Sequence, residues 1–367
     1  MPRFGLFVGS MDFLKGAQAD MAAAKARVLV QAMTFEGDAA GRAVAGAIAA
    51  GTAQDRRVLV DDYTRHVIND RFLALSRDPA LHAEAQATWA MFDGLIASGV
   101  GLRMTNPVGR NPLAYATRNH KKLLVIDDVA WIGGINFSDH NFAWHDMMLR
   151  IEDAEVAQWL AGEFDRDWQG CPRAARAEFG EIDLLSLPGN GNEQEFKTLL
   201  ARIAVAQRSI EVISAYPTFP FVTSMAQAAR RGVPVTLYTP RPNNKPVIRD
   251  YLMRVARKTG LSIRLLPEMT HMKAALIDGE ALVVGSSNFD FVSMRANAEY
   301  VATISDPALI ADAEARLFAP ARALATEPSA DDHSLWRGLT AAVGLRLADA
   351  LIARLGEPRR IAEWERP

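Results

Sequence analysis

The chain has 367 residues and a net charge of −2 from 41 basic and 43 acidic side chains; 49% of it is hydrophobic and 23% charged. That is the balance of a globular protein with a sizeable core, and the length predicts two domains, or three. It excludes a disordered chain, a fibrous repeat and a basic nucleic-acid coat. A lone cysteine, Cys171, rules out an internal disulfide and fits a reducing compartment. The apolar run 43–53 is too short and alanine-rich to span a bilayer, and the N-terminus lacks the basic-then-apolar pattern of a signal peptide, so a cytoplasmic chain is expected.

In chain order, ARVLVQAMT (26–34) reads as a buried strand, followed by a small-residue helix over 41–50 and a strand over 57–60 ending in Asp61–Asp62. LIASGVGLRM (95–104) reads as a helix end, a glycine stop and a short strand. Two apolar strands, HKKLLVID and VAWIGGIN, close this half, and DMMLRIED begins another. The pattern then repeats: SIEVISAY, a helix over 222–231, Gly232, VPVTLYT, ARKTGLSIRL (256–265), HMKAALID, ALVVGSSN and EYVATISD. The halves differ mainly by about 30 extra residues near 63–90 in the first. The glycines and prolines of 170–192 mark the boundary. These features predict an α/β protein of two tandem β/α domains, each a mixed sheet covered by helices. The expected bounds are 1–180 and 190–330, with a C-terminal amphipathic helical tail over 331–367.

The densest signal is His120–x–Lys122–x4–Asp127 followed by Gly133, Gly134 and Asn136. It recurs as His271–x–Lys273–x4–Asp278 followed by Gly285, Ser286 and Asn288. Only 8 of the 41 basic residues are lysine, so two at matching positions carry information. In a strand, residues i and i+2 share a face, so each histidine points with its lysine. Asp127 and Asp278 lie an odd number of positions further on, at turn-like Asp–Asp and Asp–Gly, and read as structural.

Two such sets packed face to face supply two imidazoles, two ammoniums and two amides around one anionic centre, which suits displacement at a phosphodiester. One neutral histidine attacks phosphorus and the other, protonated, donates to the leaving oxygen. Lysines and asparagines hold the non-bridging oxygens. No metal or cofactor is needed. A histidine nucleophile also needs its second nitrogen held, and Asp146 and Glu299, each at the head of a strand, read as the orienting carboxylates.

These motifs resemble the phospholipase D superfamily, whose hallmark is paired HxKxxxxD motifs followed by GGxN or GSxN. HKKLLVIDDVAWIGGINFSDHNFAWHDMMLRIED and GSSNFD, with Ser293, Asn297 and Glu299, resemble its bacterial cardiolipin synthase and phosphatidyltransferase branch. The resemblance spans about 24–318. It implies a pseudo-twofold pair of domains sharing one site, a phosphohistidine intermediate, metal independence, His120 as nucleophile and His271 as acid. Two departures stand out. Val292 precedes Ser293 where many relatives have arginine, and five residues separate Asp127 from Gly133 against six in the second copy.

The resemblance thus implies transfer of a phosphatidyl group from a glycerophospholipid to phosphatidylglycerol, another alcohol or water, at the inner face of the cell membrane. One chain suffices for the site. The alternatives are a phosphodiesterase acting on DNA or RNA, which the near-neutral charge disfavours, and a non-catalytic lipid-binding scaffold. Several residues carry two readings each. His140, Trp144 and His145 line the pocket mouth or pack a loop. Arg118, Arg241 and Lys245 meet a head group or are solvated loop charges; Phe142, Met147 and Met148 touch acyl chains or fill the core. In the tail, Leu345, Ala348, Ile352 and Leu355 form an apolar stripe beside Arg337, Arg346, Arg354, Arg359 and Arg360. That helix either packs on the second domain or lies on an anionic membrane.

Overall fold

The computed structural model describes residues 1–108, 115–329, 332, 334–354 and 361–367. The first half runs β1 (Arg3–Val8), α1 (Ser10–Ala23), β2 (Arg27–Ala32), α2 (Ala39–Ala50), β3 (Asp55–Asp61) and α3 (Tyr63–His66). A two-stranded hairpin follows, β4 (Val67–Ile68) and β5 (Arg71–Phe72), then α4 (Pro79–Ala97) and β6 (Gly101–Thr105). It closes with β7 (Leu123–Ile126), β8 (Val129–Gly133), α5 (Asp139–Phe142), β9 (Met147–Glu152) and α6 (Ala154–Trp168). The second half opens with β10 (Ala175–Phe179), β11 (Ile182–Pro188), α7 (Glu193–Val205), β12 (Ile210–Ser214), α8 (Phe221–Arg230) and β13 (Val235–Pro240). It continues with α9 (Pro246–Thr259), β14 (Ser262–Leu266), β15 (Lys273–Ile277), β16 (Ala281–Gly285), α10 (Phe291–Arg295) and β17 (Ala298–Ile304). Helices α11 (Pro307–Ala313), α12 (Ala319–Leu324) and α13 (Leu335–Ile352) and strand β18 (Ile361–Glu363) end it.

These strands form two mixed eight-stranded sheets, ordered β1-β9-β8-β7-β2-β3-β6-β18 and β10-β11-β17-β16-β15-β12-β13-β14. Within each, three parallel strands continue into an antiparallel set through the motif strand, β7 beside β2 and β15 beside β12. The motif strands LLVI and KAALI are buried along their whole length. That is the signature of strands covered on both faces.

The covering explains the three main apolar clusters. α1, α2 and α4 pack on the outer face of the first sheet through Phe13, Val44, Ile48 and Phe92. The outer face of the second sheet is covered by α7, α8, α9 and α13. Between the sheets lies a shared core of Leu123, Val125, Leu149, Leu276, Leu282 and Tyr300, closed at its side by α6, α11 and α12. Lys121 spans this interface, donating to Asp167 (2.8 Å) and Ser186 (3.1 Å) above the Tyr300 ring. A buried ammonium there needs those partners.

Asp127 and Asp278 occupy the turns after the motif strands at φ of 48° and 57°. Asp127 accepts the backbone N–H of Lys25, Ala26 and Arg27, each at 2.9 Å. Asp278 does the same for Gln207, Arg208 and Ser209. Each carboxylate therefore stitches a motif hairpin to the first residues of the adjacent strand.

The tail departs from a purely helical expectation. After α13, strand β18 returns to the first sheet and pairs with β6, and Trp364 seats its ring edge-on against Phe92. Leu355, Arg359 and Arg360 of the expected stripe lie outside the described residues. Of the rest of that stripe, Leu345, Ala348 and Ile352 face the second half.

Candidate active site

Two backbone bridges between the halves set the site. The His120 N–H donates to the Ala298 carbonyl (2.9 Å) and the Ala298 N–H to the Arg118 carbonyl (2.9 Å). Symmetrically, the His145 N–H donates to Met269 (3.1 Å) and the His271 N–H to His145 (2.8 Å). Each motif histidine is thus tied to the residue preceding the other half's carboxylate, and the carboxylates cross over. His120 Nδ1 lies 3.0 Å from Glu299, and His271 Nδ1 lies 2.8 Å from Asp146. With Nδ1 engaged, each imidazole presents Nε2 as its free nitrogen.

Both lysines are buried beside their histidines. Lys122 Nζ donates to the His120 carbonyl (2.8 Å), and Lys273 Nζ to that of His271. Asn136 donates to Asn141 (3.3 Å), and the Asn288 side-chain oxygen is buried without a partner among the described residues. All six side chains of the two His–Lys–Asn sets are under 10% exposed.

The halves are not equivalent at the carboxylates. Glu299 accepts hydroxyl donors from Ser286 and Ser293 (2.7 Å) besides facing His120. At the position matching Ser286 the first half has Gly134, where a Cβ would fall on the Asp146 carboxylate, within 2.8 Å of Cγ. Asp146 instead accepts the Met147 N–H (2.8 Å).

Electrostatics follow this asymmetry. Burial pushes the Asp146 carboxyl up to about 7, while Glu299, despite its burial, is held below its usual range by His120, Lys122 and Ser286. Burial lowers His120 to about 4, with Lys122 and Lys273 adding to the fall. His271 is pushed well down by burial and by the lysines around it. Burial brings Lys122 to about 8 and Lys273 to about 7. The His120–Glu299 pair therefore stands as imidazole and carboxylate at neutral pH, whereas the His271–Asp146 pair retains one extra proton up to about pH 7.

Around the histidines, Trp144 tilts over His271 (centroids 5.5 Å) and Tyr216 meets the same ring edge-on (6.0 Å). Lys245 Nζ sits 4.3 Å over Tyr216. The Tyr216 hydroxyl donates to Asn244 (2.6 Å), whose amide donates to Asp70 (3.2 Å). The extra residues of the first half thus reach across to the second half beside the site. Asp70 and Tyr216 were invisible in the sequence: one lies in the unmatched insertion, the other at an ordinary strand end.

Other expectations need correction. Arg118 is neither solvated nor offered to a ligand: it is buried and paired with Asp61 at 2.7 Å. Arg241 pairs with Asp332 (3.1 Å). For Met147, Met148 and Phe142 the core reading holds: the two methionines are fully buried and Phe142 packs against the core. His140 bridges Ser138 (3.0 Å) and Asn141 (2.6 Å).

One carboxylate group among the described residues, Glu36–Asp38–Glu84, is close enough to share a cation. Burial raises Glu36 to about 9, and the neighbouring carboxylates Glu84, Asp38 and Asp70 add to the rise.

Residues 18–168 and 199–318 match the family described as cardiolipin synthase, PLD-like domain. The chain belongs to that family. It is 26% identical over 375 residues to cardiolipin synthase A of Pseudomonas entomophila (strain L48), covering 94% of this chain and 73% of the relative. Against cardiolipin synthase A of Yersinia pseudotuberculosis (strain IP 31758) it is 28% identical over 225 residues, 53% of this chain and 46% of that one. It thus spans about half the length of the second relative. Among solved structures, the phosphatidylserine synthase of Haemophilus influenzae Rd KW20 aligns with a TM-score of 0.73 at 14% identity, over 95% of this chain and 94% of the other. The polyphosphate kinase of Porphyromonas gingivalis aligns at 0.60 and 13% identity, over 95% and 53%. At these identities both matches speak for the fold alone. The PLD-like fold accounts for the paired sheets and the repeated motif hairpin.

Proposed function

We propose that the chain is a phosphatidyltransferase that moves a phosphatidyl group through a phosphohistidine, with phosphatidylglycerol as lead donor and acceptor and cardiolipin as lead product. The observation that carries this reading is the crossed pairing of two buried His–Lys–Asn sets with Glu299 and Asp146 at one centre. That the relatives are named cardiolipin synthases supports the lipid reading over the nucleic-acid one.

In the first step, His120 Nε2 forms a bond to phosphorus as the bond to the leaving glycerol oxygen breaks, and His271 gives that oxygen its proton. Lys122, Lys273, Asn136 and Asn288 hold the non-bridging oxygens and stabilise the growing negative charge. In the second, neutral His271 takes the proton of the acceptor hydroxyl, whose oxygen attacks phosphorus and releases His120. The proton distribution supports this division of labour: His120 stands neutral beside an ionised Glu299, and the His271–Asp146 pair holds a proton to give.

No helix among the described residues is long and apolar enough to cross a membrane. We place the enzyme at the inner face of the cell membrane as a peripheral protein. Mass spectrometry of products from phosphatidylglycerol and phosphatidylethanolamine vesicles, with and without added alcohol, tests the reading. Cardiolipin or a phosphatidyl-alcohol, absent with His120→Ala, is expected. Phosphatidic acid alone would make the enzyme a hydrolase, and no lipid product, with cleavage of DNA or RNA instead, would overturn the assignment.

A further inference from the structure

Helix α13 is apolar on two opposite faces. One face, Gly338, Ala341 and Leu345, is buried against the second half. The other carries Trp336, Leu339, Val343, Leu347 and Leu351, with Trp336 at 78%, Leu347 at 62% and Leu351 at 59% exposure. At 100° per residue these five fall within one 120° sector along four turns, bordered by Arg346 on one side and Arg337 on the other. Few proteins leave such a stripe in water without a partner for it.

The charge beside the stripe says which partner. α9 packs along α13 and ends in Arg254, Arg257 and Lys258; with Ser334 and Leu335 these line a cleft at the start of α13. Among the described residues, none of these three cations, nor Arg346, has a carboxylate within ion-pair distance. The acids on the two helices are engaged elsewhere, Asp250 with Arg337 (3.5 Å) and Asp349 with Arg295. An apolar stripe with a tryptophan, with Arg254, Arg257 and Lys258 clustered at its start and without a carboxylate partner among the described residues, is complementary to an anionic lipid surface. A second copy of the chain would bring the same cations against each other.

The surface is also joined to the catalytic centre. α9 begins at Lys245–Pro246, with Lys245 over Tyr216 beside His271. α10, which carries Ser293, is clamped to α13 by the Arg295–Asp349 pair.

We propose that the exposed face of α13, with the basic end of α9, is the surface by which this protein docks on anionic phospholipid bilayers. The inference rests on the phosphatidyltransferase reading for its purpose, but not for its physical basis. Trp336 and its neighbours enter the acyl boundary while Arg254, Arg257 and Lys258 meet lipid phosphates.

The test is co-sedimentation of the full chain with vesicles of phosphatidylglycerol and phosphatidylcholine, comparing wild type with Trp336→Gln/Leu347→Gln. Both side chains are exposed, so thermal melting should be unchanged. The variant should bind at least tenfold more weakly yet turn over monomeric short-chain phosphatidylglycerol at the wild-type rate. Arg257→Gln/Lys258→Gln should weaken binding in the same assay, and added salt should mimic that loss. Wild type that does not bind the vesicles, or a variant that binds as wild type does, overturns the proposal. So does wild type that is dimeric by sedimentation equilibrium and made monomeric by the substitutions, with vesicle binding unchanged. Vesicle binding lost in the variant, with no lipid turnover by either protein, would sustain the docking surface and defeat the transferase reading.

Discussion

At the scale of single residues, the two copies of the motif have been made unequal. Glu299 accepts the hydroxyls of Ser286 and Ser293, and against complete burial His120, Lys122 and Ser286 hold its carboxyl below the usual range. Asp146, one methylene shorter, occupies the space that Gly134 leaves by having no side chain. Gly134 is therefore required for room, and copying the second half's serine into it would not reproduce the second half's geometry. Gly134→Ala should displace Asp146 from His271 Nδ1 and lower kcat by about 10²-fold, the usual consequence of misplacing a catalytic group by about 1 Å. Steady-state kinetics at unchanged melting temperature would check this; wild-type kcat would show that His271 does not depend on Asp146.

At the scale of elements, the motif strands were legible because they combine an uninterrupted apolar run with a repeated polar prefix. His120 and Lys122, and their partners His271 and Lys273, could be placed on one face by parity alone. What parity could not reveal was the crossing of Glu299 to His120 and Asp146 to His271. That depends on the bridges at Ala298 and His145, contacts between residues more than 120 positions apart. Edge strand β18 was equally hidden: Ile361–Glu363 is three residues long, and only the free edge of β6 makes it a strand. In α13 the apolar pattern was real, but it runs round most of the helix. Leu345, Ala348 and Ile352 read as one stripe, while Trp336, Val343 and Leu347 lie on the opposite side.

At the scale of the molecule, the fold keeps its site ready at a cost in acid. His120 titrates near 4 in the folded chain against an ordinary 6.5, so between these values the unfolded chain binds a proton that the native state refuses. His120 therefore contributes stability that is lost as pH drops from about 6.5 to about 4, and His271 acts in the same direction. Asp146, raised from 3.8 to about 7, opposes them, because the native state holds its proton across that window. Asp61 and Asp290, each raised by burial to about 6, and Glu36, raised to about 9, act with Asp146. Lys273, brought from 10.5 to about 7, weakens the fold below pH 7 and is relieved as pH rises towards 10.5. Replacing both histidines by asparagine should make the melting temperature change between pH 6.5 and 4.5 less unfavourable than in wild type. An unchanged slope would mean that the histidines are not held neutral by burial.

The central claim is that one site, with His120 as its nucleophile, performs a two-step displacement. Its most direct test is peptide mass spectrometry after rapid quench of the enzyme with short-chain phosphatidylglycerol, comparing wild type, His120→Ala and His271→Ala. The account predicts a phosphatidyl adduct on the peptide containing His120, present in wild type, formed more slowly but longer-lived in His271→Ala, which lacks both the acid for formation and the base for breakdown, and absent in His120→Ala. An adduct on His271 that survives His120→Ala, or lipid turnover with no adduct on either histidine, would contradict it.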